Sequence, residues 1–303
     1  MKKITVVGSS NTDMVVKSKR LPLPGETIGG GAFLMNPGGK GANQAVATAR
    51  LGAKTVFVAK TGNDVFGRKS ISTFENEGID TRFVSSDSTE PSGVALIMVD
   101  DHGENSIVVA PGANAKLLPE DIEKAKEEIS TSEILLMQLE IPMPAVEAAA
   151  QIAYASGVKV VLNPAPVQVL SAELLSKLYL ITPNRGEAEL LSGIKITGLE
   201  SAEKAARAIA AKGVQNVIIT LGSEGSFILD NGEAYLVKAY EVETVDTTGA
   251  GDTFNGAICS ALVEGKSMRE AVNFASKASA IVVTRMGAQS SIPTRREVDH
   301  FKK

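Results

Sequence analysis

Short apolar runs alternate with helical patterns along most of the chain. The apolar runs are typical of strands that are buried on both faces, and they lie at residues 4–7, 55–59, 134–139, 158–162, 178–182 and 217–221. Helical periodicity fills the intervals at residues 41–51, 65–76, 143–155, 186–191 and 201–211, and several of these segments end at a glycine. This alternation predicts an α/β fold whose central, mostly parallel sheet is covered by helices on both faces, with right-handed connections.

Two regions interrupt this alternation. Residues 13–17 and 27–34 are short, extended and rich in glycine, and residues 93–99 and 105–109 flank a turn-like Asp-Asp-His-Gly-Glu sequence. We expect a small separate β-sheet, inserted from about 13–36 and 92–110, although extra strands on the main sheet remain an alternative. Helices are predicted at residues 251–264, 268–284 and 295–302. No linker or repeat is visible, so residues 1–303 are predicted to form one domain.

Composition narrows the class of protein. The chain has 303 residues, of which 44% are hydrophobic and 22% charged, as in ordinary globular proteins. A net charge of -4 without any basic run argues against nucleic acid or an anionic membrane as a partner. No signal-peptide pattern and no long apolar stretch is present. One cysteine, Cys259, suits a reducing compartment, so we expect a soluble, cytoplasmic protein.

Only two histidines, His102 and His300, are present, and neither lies beside a cysteine or another histidine. This scarcity argues against a zinc site and against Cys/His catalysis. Acid–base chemistry is therefore expected to fall to carboxylates or lysines.

The strongest chemical signal is Asp-Thr-Thr-Gly-Ala-Gly-Asp-Thr-Phe at residues 246–254, directly before a predicted helix. A helix start exposes unpaired N–H groups, and glycines allow an anion to approach that backbone closely. Asp252 could simply cap the helix. A cap explains neither the glycines at 249 and 251 nor the polar Asp246 and Thr248. The spacing predicts an anion site beside a carboxylate, which suits transfer of a phosphoryl group to an alcohol with Asp252 as the base.

Two competing phosphate motifs do not fit. A P-loop requires Ser or Thr after Gly-Lys, whereas Gly39-Lys40 is followed by Gly41. The dinucleotide fingerprint requires a third glycine three residues after the second, and the residue at that distance from Gly251 is Phe254. A nicotinamide enzyme is therefore disfavoured.

Two further polar segments lie where a ligand is expected. Residues 36–44 place three glycines, at 38, 39 and 41, around the start of a helix on which Lys40 and Asn43 can share a face. This arrangement suits a polyol, although a solvated loop with a helix cap is an alternative. Asn11 and Asp13 follow the first strand, where ligands of α/β sheets bind, and a turn stabilised by these side chains explains them equally well. Weaker signals follow later strands at Glu140, at Asn-Arg-Gly-Glu (184–187) and at residues 220–225.

Together, the Gly-Gly-Lys-Gly-Ala-Asn and Asp-Thr-Thr-Gly-Ala-Gly-Asp segments resemble the two signature regions of the ribokinase-like, or PfkB, family of carbohydrate kinases. Similarity runs nearly end to end, as far as Gly-Ala-Gln at 287–289. The resemblance implies a ribokinase-like fold in which the small sheet is a lid and forms a homodimer. It implies ATP-dependent phosphorylation of D-ribose at its 5-hydroxyl, with Mg²⁺ and K⁺ as cofactors. Deoxyribose, fructose or a nucleoside are alternative substrates, and a non-catalytic sugar- or nucleotide-binding protein is the alternative from another class.

The resemblance also implies roles for individual residues. Sugar binding is implied for Asn11, Asp13, Gly39, Lys40, Gly41, Ala42, Asn43, Glu140 and Asp252. Catalysis is implied for Asp252, with an anion hole formed by Gly249, Ala250, Gly251 and Asp252. Contacts with the nucleotide cofactor are implied for Asn184, Thr220, Leu221, Gly222, Ser223, Glu224, Gly225, Gly251, Asp252 and Ser276, and Glu187 resembles the residue tied to Mg²⁺ and phosphate. A monovalent cation site is implied at Asp246, Thr248, Val282, Arg285, Gly287 and Ser291, in which Val282, Arg285 and Gly287 act through their carbonyls.

Overall fold

A computed structural model describes residues 2–102 and 104–302 of the chain. Its strands are β1 (Lys3–Val7), β2 (Asn11–Lys17), β3 (Ala32–Gly38), β4 (Lys54–Gly62), β5 (Asp80–Asp87), β6 (Gly93–Val99), β7 (Asn105–Ala110), β8 (Ile134–Met137), β9 (Lys159–Leu162), β10 (Leu180–Ile181), β11 (Asn216–Thr220), β12 (Ser226–Asp230) and β13 (Glu233–Val237). Its helices are α1 (Lys40–Arg50), α2 (Val65–Asn76), α3 (Pro119–Lys124), α4 (Lys126–Ser130), α5 (Met143–Ala155), α6 (Ala172–Leu175), α7 (Arg185–Ser192), α8 (Leu199–Ala210), α9 (Ala250–Val263), α10 (Met268–Val283) and α11 (Arg295–Asp299). None of the helices within these residues is both long and apolar enough to cross a membrane.

The main sheet has nine strands in the order β13-β12-β11-β10-β9-β8-β1-β4-β5. All neighbours pair in parallel except β11 with β12 and β12 with β13. Along β8, Ile134 and Leu136 pack into a core with α1, α9 and α10, whereas Leu135 and Met137 pack into a second core with α5 and α8. This alternation confirms the predicted sheet that is covered by helices on both faces.

A separate sheet of four strands has the order β3-β2-β6-β7, which confirms the predicted small sheet and excludes extra strands on the main one. Strands β6 and β7 are antiparallel, and the Asp100 carboxylate accepts the amides of His102 and Glu104 in the turn between them. Gly103 of the predicted turn lies outside the described residues, as do Met1 and Lys303 of the predicted domain.

Strand register assigns the side chains of the small sheet to two faces. Asp13 pairs with Ala95, and the next pair along is Met14 with Leu96. Because successive side chains point to opposite faces, Asn11 and Asp13 share one face, and Met14 and Leu96 share the other. The polar positions at the start of β2 are thus separated from a largely apolar outer face.

Some predicted bounds were wrong, each for a local reason. The strand predicted at 27–34 runs from Ala32 to Gly38, because Gly30 and Gly31 adopt positive φ angles of 88° and 124° that do not fit a strand. The closing helix ends at Asp299, and Phe301 turns back to pack edge-on against Tyr240, with ring centroids 5.3 Å apart. The strand predicted at 134–139 ends at Met137.

Candidate active site

The first turn of α1 lies directly on the end of β1. The backbones of Gly8 and Gly41 are so close that a Cβ added to Gly8 would lie 2.7 Å from the Gly41 Cα. The amide of Ala42 donates to the carbonyl of Ser9 at 2.8 Å. Two glycines are therefore required for α1 to start at the carboxyl end of β1, where Lys40 and Asn43 then lie.

Glu140, which follows β8, is tied to the same place. Its Oε2 accepts hydrogen bonds from the Ser9 hydroxyl at 2.6 Å and from the Lys40 amide at 3.0 Å. Three segments that are far apart in sequence, at residues 9, 40 and 140, therefore meet around one carboxylate. Glu140 is only half-buried, which leaves its other oxygen available to a ligand.

Asp252 lies in the first turn of α9 and is 7% exposed. Gly249 occupies the N-cap, so the alternative in which Asp252 is merely the cap is wrong. Instead, the Asp252 carboxylate accepts the side-chain amide of Asn43 at 2.9 Å and that of Gln44 at 3.1 Å. Helices α1 and α9 thus bring the predicted base to the predicted sugar-binding residues.

Lys40 lies among several carboxylates. Burial by itself would lower the pKa of Lys40, but Asp252, Glu140, Glu187 and Asp13 together raise it above its ordinary value. Burial raises the pKa of Asp252, opposed by the charge of Lys40 and by the amides of Asn43 and Gln44. The lysine therefore stays charged and counterbalances the cluster of acids around it.

Asn11 and Asp13 enter this cluster from the small sheet. The Asn11 Oδ1 accepts a hydrogen bond from Asn114 Nδ2 at 2.7 Å, which leaves the Asn11 amide nitrogen to donate to a ligand. Burial, followed by the charges of Glu140 and Asp252, raises the pKa of Asp13 from 3.8 to about 6. Asn11 therefore offers a donor and Asp13 an acceptor on the same face of β2. Two neighbouring hydroxyls of a polyol could bind to such a pair.

We expect Asp13→Asn to stabilise the protein at pH 8 and to weaken sugar binding. Because the folded state raises the pKa of Asp13, folding is penalised as pH rises through about 4 to 6, and the penalty is complete above that range. The gain in unfolding free energy at pH 8 should be on the order of 3 kcal/mol, and it should fall to well below about 1 kcal/mol at pH 4. Denaturant unfolding at both pH values measures this gain in unfolding free energy. The control is Asp101→Asn, which makes the same change at an exposed residue. An equal gain at pH 4 would contradict the assignment.

A cavity of about 460 Å³ opens on the other side of the start of α9. Its apolar wall includes Ala239, Val242, Phe254 and Ala280, which suits a flat ring system. Of the residues predicted to contact a nucleotide, six line this cavity: Thr220, Gly222, Ser223, Gly225, Gly251 and Ser276.

The other predicted nucleotide residues have structural partners of their own. Asn184 and Glu187 form a reciprocal cap on α7, in which each side chain accepts the other's amide at 2.9 Å. Glu224 pairs with Arg185, and Leu221 is buried in the core. The charge of Lys40 favours the ionised form of Glu187, and Glu187 in turn raises the pKa of Lys40, so Glu187 lies near the acidic cluster around Lys40. Mg²⁺ is usually held by one or two carboxylates together with phosphate oxygens, a donor set that Glu187 fits.

The predicted cation site lies in the loop before α9 and the segment after α10. Asp246 accepts the amide and hydroxyl of Thr248 at 2.9 and 2.6 Å and the amide of Gly287 at 2.9 Å. Burial alone would raise the pKa of Asp246, but these hydrogen bonds lower it below its ordinary value. The Arg285 side chain pairs with Glu297, and the Val282 side chain is buried, so only their carbonyls could serve a cation.

Several polar residues of the site were missed by the sequence analysis. Ser9 binds Glu140, Gln44 binds Asp252, and Asn114 binds both Asn11 and the backbone of Ser10. Each is a polar residue in an otherwise buried segment, which is the signal that could have identified it.

Known proteins resemble this chain over nearly its whole length. The model of the "pfkB family carbohydrate kinase" matches residues 1–295. A ribokinase of Haemophilus influenzae is 49% identical over 300 residues, covering 99% of this chain and 98% of the relative. A deoxyribokinase of Salmonella typhi is 36% identical and covers 98% of each chain. The structure of Arabidopsis thaliana ribokinase complexed with ribose and ATP superimposes with a TM-score of 0.93 at 35% identity, covering 99% of both chains.

Proposed function

Because the chain belongs to the pfkB family of carbohydrate kinases, we propose that it transfers the γ-phosphoryl group of ATP to the 5-hydroxyl of D-ribose. The observation that carries this proposal is the position of Asp252. Its carboxylate binds Asn43 on the side of the polar cluster, while the preceding residue, Gly251, lines the apolar cavity. A group in this position can reach the hydroxyl of one substrate and the terminal phosphate of another.

In this mechanism the sugar lies against Asn11, Asp13, Lys40, Asn43 and Glu140. Asp252 accepts the proton of the 5-hydroxyl as the oxygen attacks phosphorus. The amides of Gly249, Ala250, Gly251 and Asp252, at the positive end of α9, stabilise charge on the transferred group. Mg²⁺, held near Glu187, would neutralise charge on the phosphate oxygens of ATP.

An assay of ADP formation with a panel of alcohols tests the proposal. We expect ribose to give the highest kcat/KM among ribose, deoxyribose, fructose and nucleosides, and phosphorus NMR to place the phosphate on O5. Binding of ribose and ATP without turnover would favour the non-catalytic alternative. A higher kcat/KM for deoxyribose than for ribose would instead indicate the activity for which its deoxyribokinase relative is named.

We also propose that a monovalent cation, K⁺, binds beside the start of α9. Side chains of Asp246, Thr248 and Ser291 and carbonyls of Val282, Arg285 and Gly287 are the proposed ligands. Oxygen donors suit such an ion, and a negative carboxylate beside the loop supports it. Gln289, within the same segment, is buried, and neither polar atom of its side chain has a partner among residues 2–102 and 104–302. The segment therefore retains polar groups that its own hydrogen bonds do not satisfy.

Activity should be several-fold higher in potassium than in choline or lithium buffer of equal ionic strength, since a cation at Asp246 orders the loop that precedes the anion hole. Asp246→Ala should remove the difference between the buffers. Initial rates at saturating ribose and ATP measure it, with the exposed Asp101→Ala as control. Equal rates in all three buffers would eliminate the cation site and leave the kinase proposal intact.

The small sheet is proposed to act as a lid and as a homodimer interface. The face that carries Asp13 can close over the sugar and exclude water, which limits wasteful hydrolysis of ATP. The opposite face carries exposed apolar side chains, which need a partner. These are Val16, Phe33, Met35, Leu96, Met98 and Val108. A second copy of the same face would satisfy them with two-fold symmetry and cover the sheet edges.

Leu96→Asp or Met98→Asp should convert a homodimer into a monomer and raise the KM for ribose, since a buried unpaired charge would destabilise the interface. Sedimentation velocity and initial rates measure the two effects. Val169→Asp is the matched control, because Val169 is 95% exposed and lies outside the small sheet. A fully active monomeric wild type would overturn the dimer proposal.

Location in the cytoplasm stays a prediction. It rests on Cys259, which is buried in α9 and lies in the core. Burial raises the pKa of its thiol, so this cysteine is unreactive and suits a reducing compartment without requiring one.

A further inference from the structure

A chain of buried side-chain amides lies behind Asp252. Gln44, which is fully buried on α1, donates through Nε2 to Asp252 Oδ1 and to Asn163 Oδ1, both at 3.1 Å. Its Oε1 accepts a hydrogen bond from Gln138 Nε2 at 2.6 Å. Gln138 follows β8 and Asn163 follows β9, so the chain crosses the carboxyl ends of two neighbouring strands.

A backbone carbonyl determines the orientation of the side-chain amides in this hydrogen-bonded series. Asn163 donates through Nδ2 to the carbonyl of Thr182 at 3.3 Å, and a carbonyl can only accept. Asn163 must therefore present Oδ1 to Gln44, and Gln44 must present its NH₂ group to both Asn163 and Asp252. If Gln44 were flipped, its carbonyl oxygen would face two acceptors in a buried site, which is unfavourable.

The other oxygen of the Asp252 carboxylate is bound by a side chain whose orientation is not fixed in this way. Asn43 donates to Asp252 Oδ2, but its own Oδ1 is buried and has no partner in the described part of the chain. Asn43 can therefore reverse its amide without breaking a second hydrogen bond, whereas Gln44 cannot. Of the two donors to Asp252, only Gln44 has an orientation fixed from outside the active site.

We infer that Gln44 is a positioning residue, whose amide, oriented by Asn163, fixes the plane of the Asp252 carboxylate and holds it as the anion that accepts the sugar proton. This inference rests on the proposed function, because it assigns Asp252 as the base. Amides do not titrate, so Gln44 supplies hydrogen bonding to the anion without competing for the proton. A donor to a carboxylate in a buried site is worth considerably more than one in water.

Other charged groups also face Asp252. Lys40 on α1 favours its ionised form, whereas Glu140 after β8 favours the protonated form, and Asp13 on β2 adds a further negative charge to the cluster. Because Lys40 also contacts the proposed sugar site, its removal would change several properties together. Gln44 is fully buried, and Asp252 is the residue of the proposed sugar site to which its side chain donates within the described part of the chain, so its replacement isolates the effect on the base.

The experiment compares the pH dependence of kcat in four variants. Gln44→Met removes the donor at similar volume, and Gln44→Glu keeps the shape but replaces the donor with a second carboxyl. Gln138→Met removes a side chain that belongs to the same series of amides but makes no hydrogen bond to Asp252. Gln151→Met makes the same chemical change on the exposed side of α5. Thermal midpoints show whether each variant is folded.

In Gln44→Met the acid limb of the kcat profile should move up by about one pH unit, with a roughly tenfold loss of kcat below that limb. Gln44→Glu should move it further, because two neighbouring carboxyls resist double ionisation. Gln138→Met should give a smaller change, and Gln151→Met none. The KM for ATP should stay within about twofold throughout, because Gln44 lies outside the nucleotide cavity.

Other outcomes separate the inference from the function on which it rests. A lower kcat with an unmoved pH profile in both Gln44 variants would show that Gln44 only packs, which overturns the inference. A shift of equal size in Gln138→Met would also overturn it. If the wild type phosphorylates no sugar, the proposed function fails first. If it is active and Asp252→Asn is not, only the role of Gln44 is at issue.

Discussion

We expect Asp252→Asn to lower kcat by at least about 100-fold while the protein remains folded and binds its sugar. The substitution removes the group that accepts the proton and preserves its shape. The fold should tolerate it, because Asn43 can reverse its amide and accept a hydrogen bond from the new side chain. Removing a buried charge should raise the thermal midpoint, since burial disfavours the ionised form.

Steady-state kinetics give kcat, and calorimetric titration gives the affinity for ribose. The control is Asp101→Asn, which makes the same change on an exposed turn. Near-normal turnover in Asp252→Asn would remove Asp252 from the mechanism. Loss of sugar binding together with turnover would instead assign it to substrate positioning.

The second large effect is expected from Gly251→Ala, which should reduce turnover by about 100-fold without loss of stability. A Cβ built on Gly251 meets no protein atom within 4 Å, although the residue lines the cavity beside the start of α9 that is proposed to hold the nucleotide. The added methyl group would therefore enter the space that the transferred phosphate is proposed to occupy. Alanine is a better helix former than glycine by about 1 kcal/mol, so the first turn of α9 should not be weakened.

Initial rates and thermal midpoints measured on the same preparations test this expectation. The matched control is Gly198→Ala, since a Cβ at Gly198 also meets nothing within 4 Å and the residue caps α8 away from the cavity. Full activity in Gly251→Ala would place the phosphate elsewhere and contradict the proposed anion hole.

The main elements could be predicted because their signals are local. Strand β8 is apolar throughout, β1 is apolar except at Lys3 and Thr5, and α2 and α5 have the predicted bounds. The glycine-rich segments before α1 and α9 also identified where chemistry was to be expected. These segments must leave room for a close backbone contact or a ligand, and no residue other than glycine does so.

Other elements carried weaker or unused signals. Strand β5 lies at the edge of the main sheet and is largely polar, so it lacks the apolar run of a central strand. The hairpin of β12 and β13 turns at Asn231-Gly232, a dipeptide typical of such turns that the sequence analysis did not use.

The connections within the site could not be predicted from spacing. Gln44 meets Gln138 and Asn163 across 94 and 119 residues, and Asn114 meets Asn11 across 103. Each side chain alone is one polar residue near the end of an apolar run. Only the order of the strands in the sheet brings them together, and that order follows from packing of the whole chain.

The contact between Gly8 and Gly41 has a practical consequence for altering sugar preference by directed evolution. Neither position can accept a side chain, and two simultaneous changes would add two Cβ atoms to the same narrow gap. A library that randomises them would therefore be filled with misfolded clones. Randomised positions should instead lie on the face of the small sheet that carries Asp13. Ile97 and Ile107 pair in register on that face, and the junction with α1 does not constrain them.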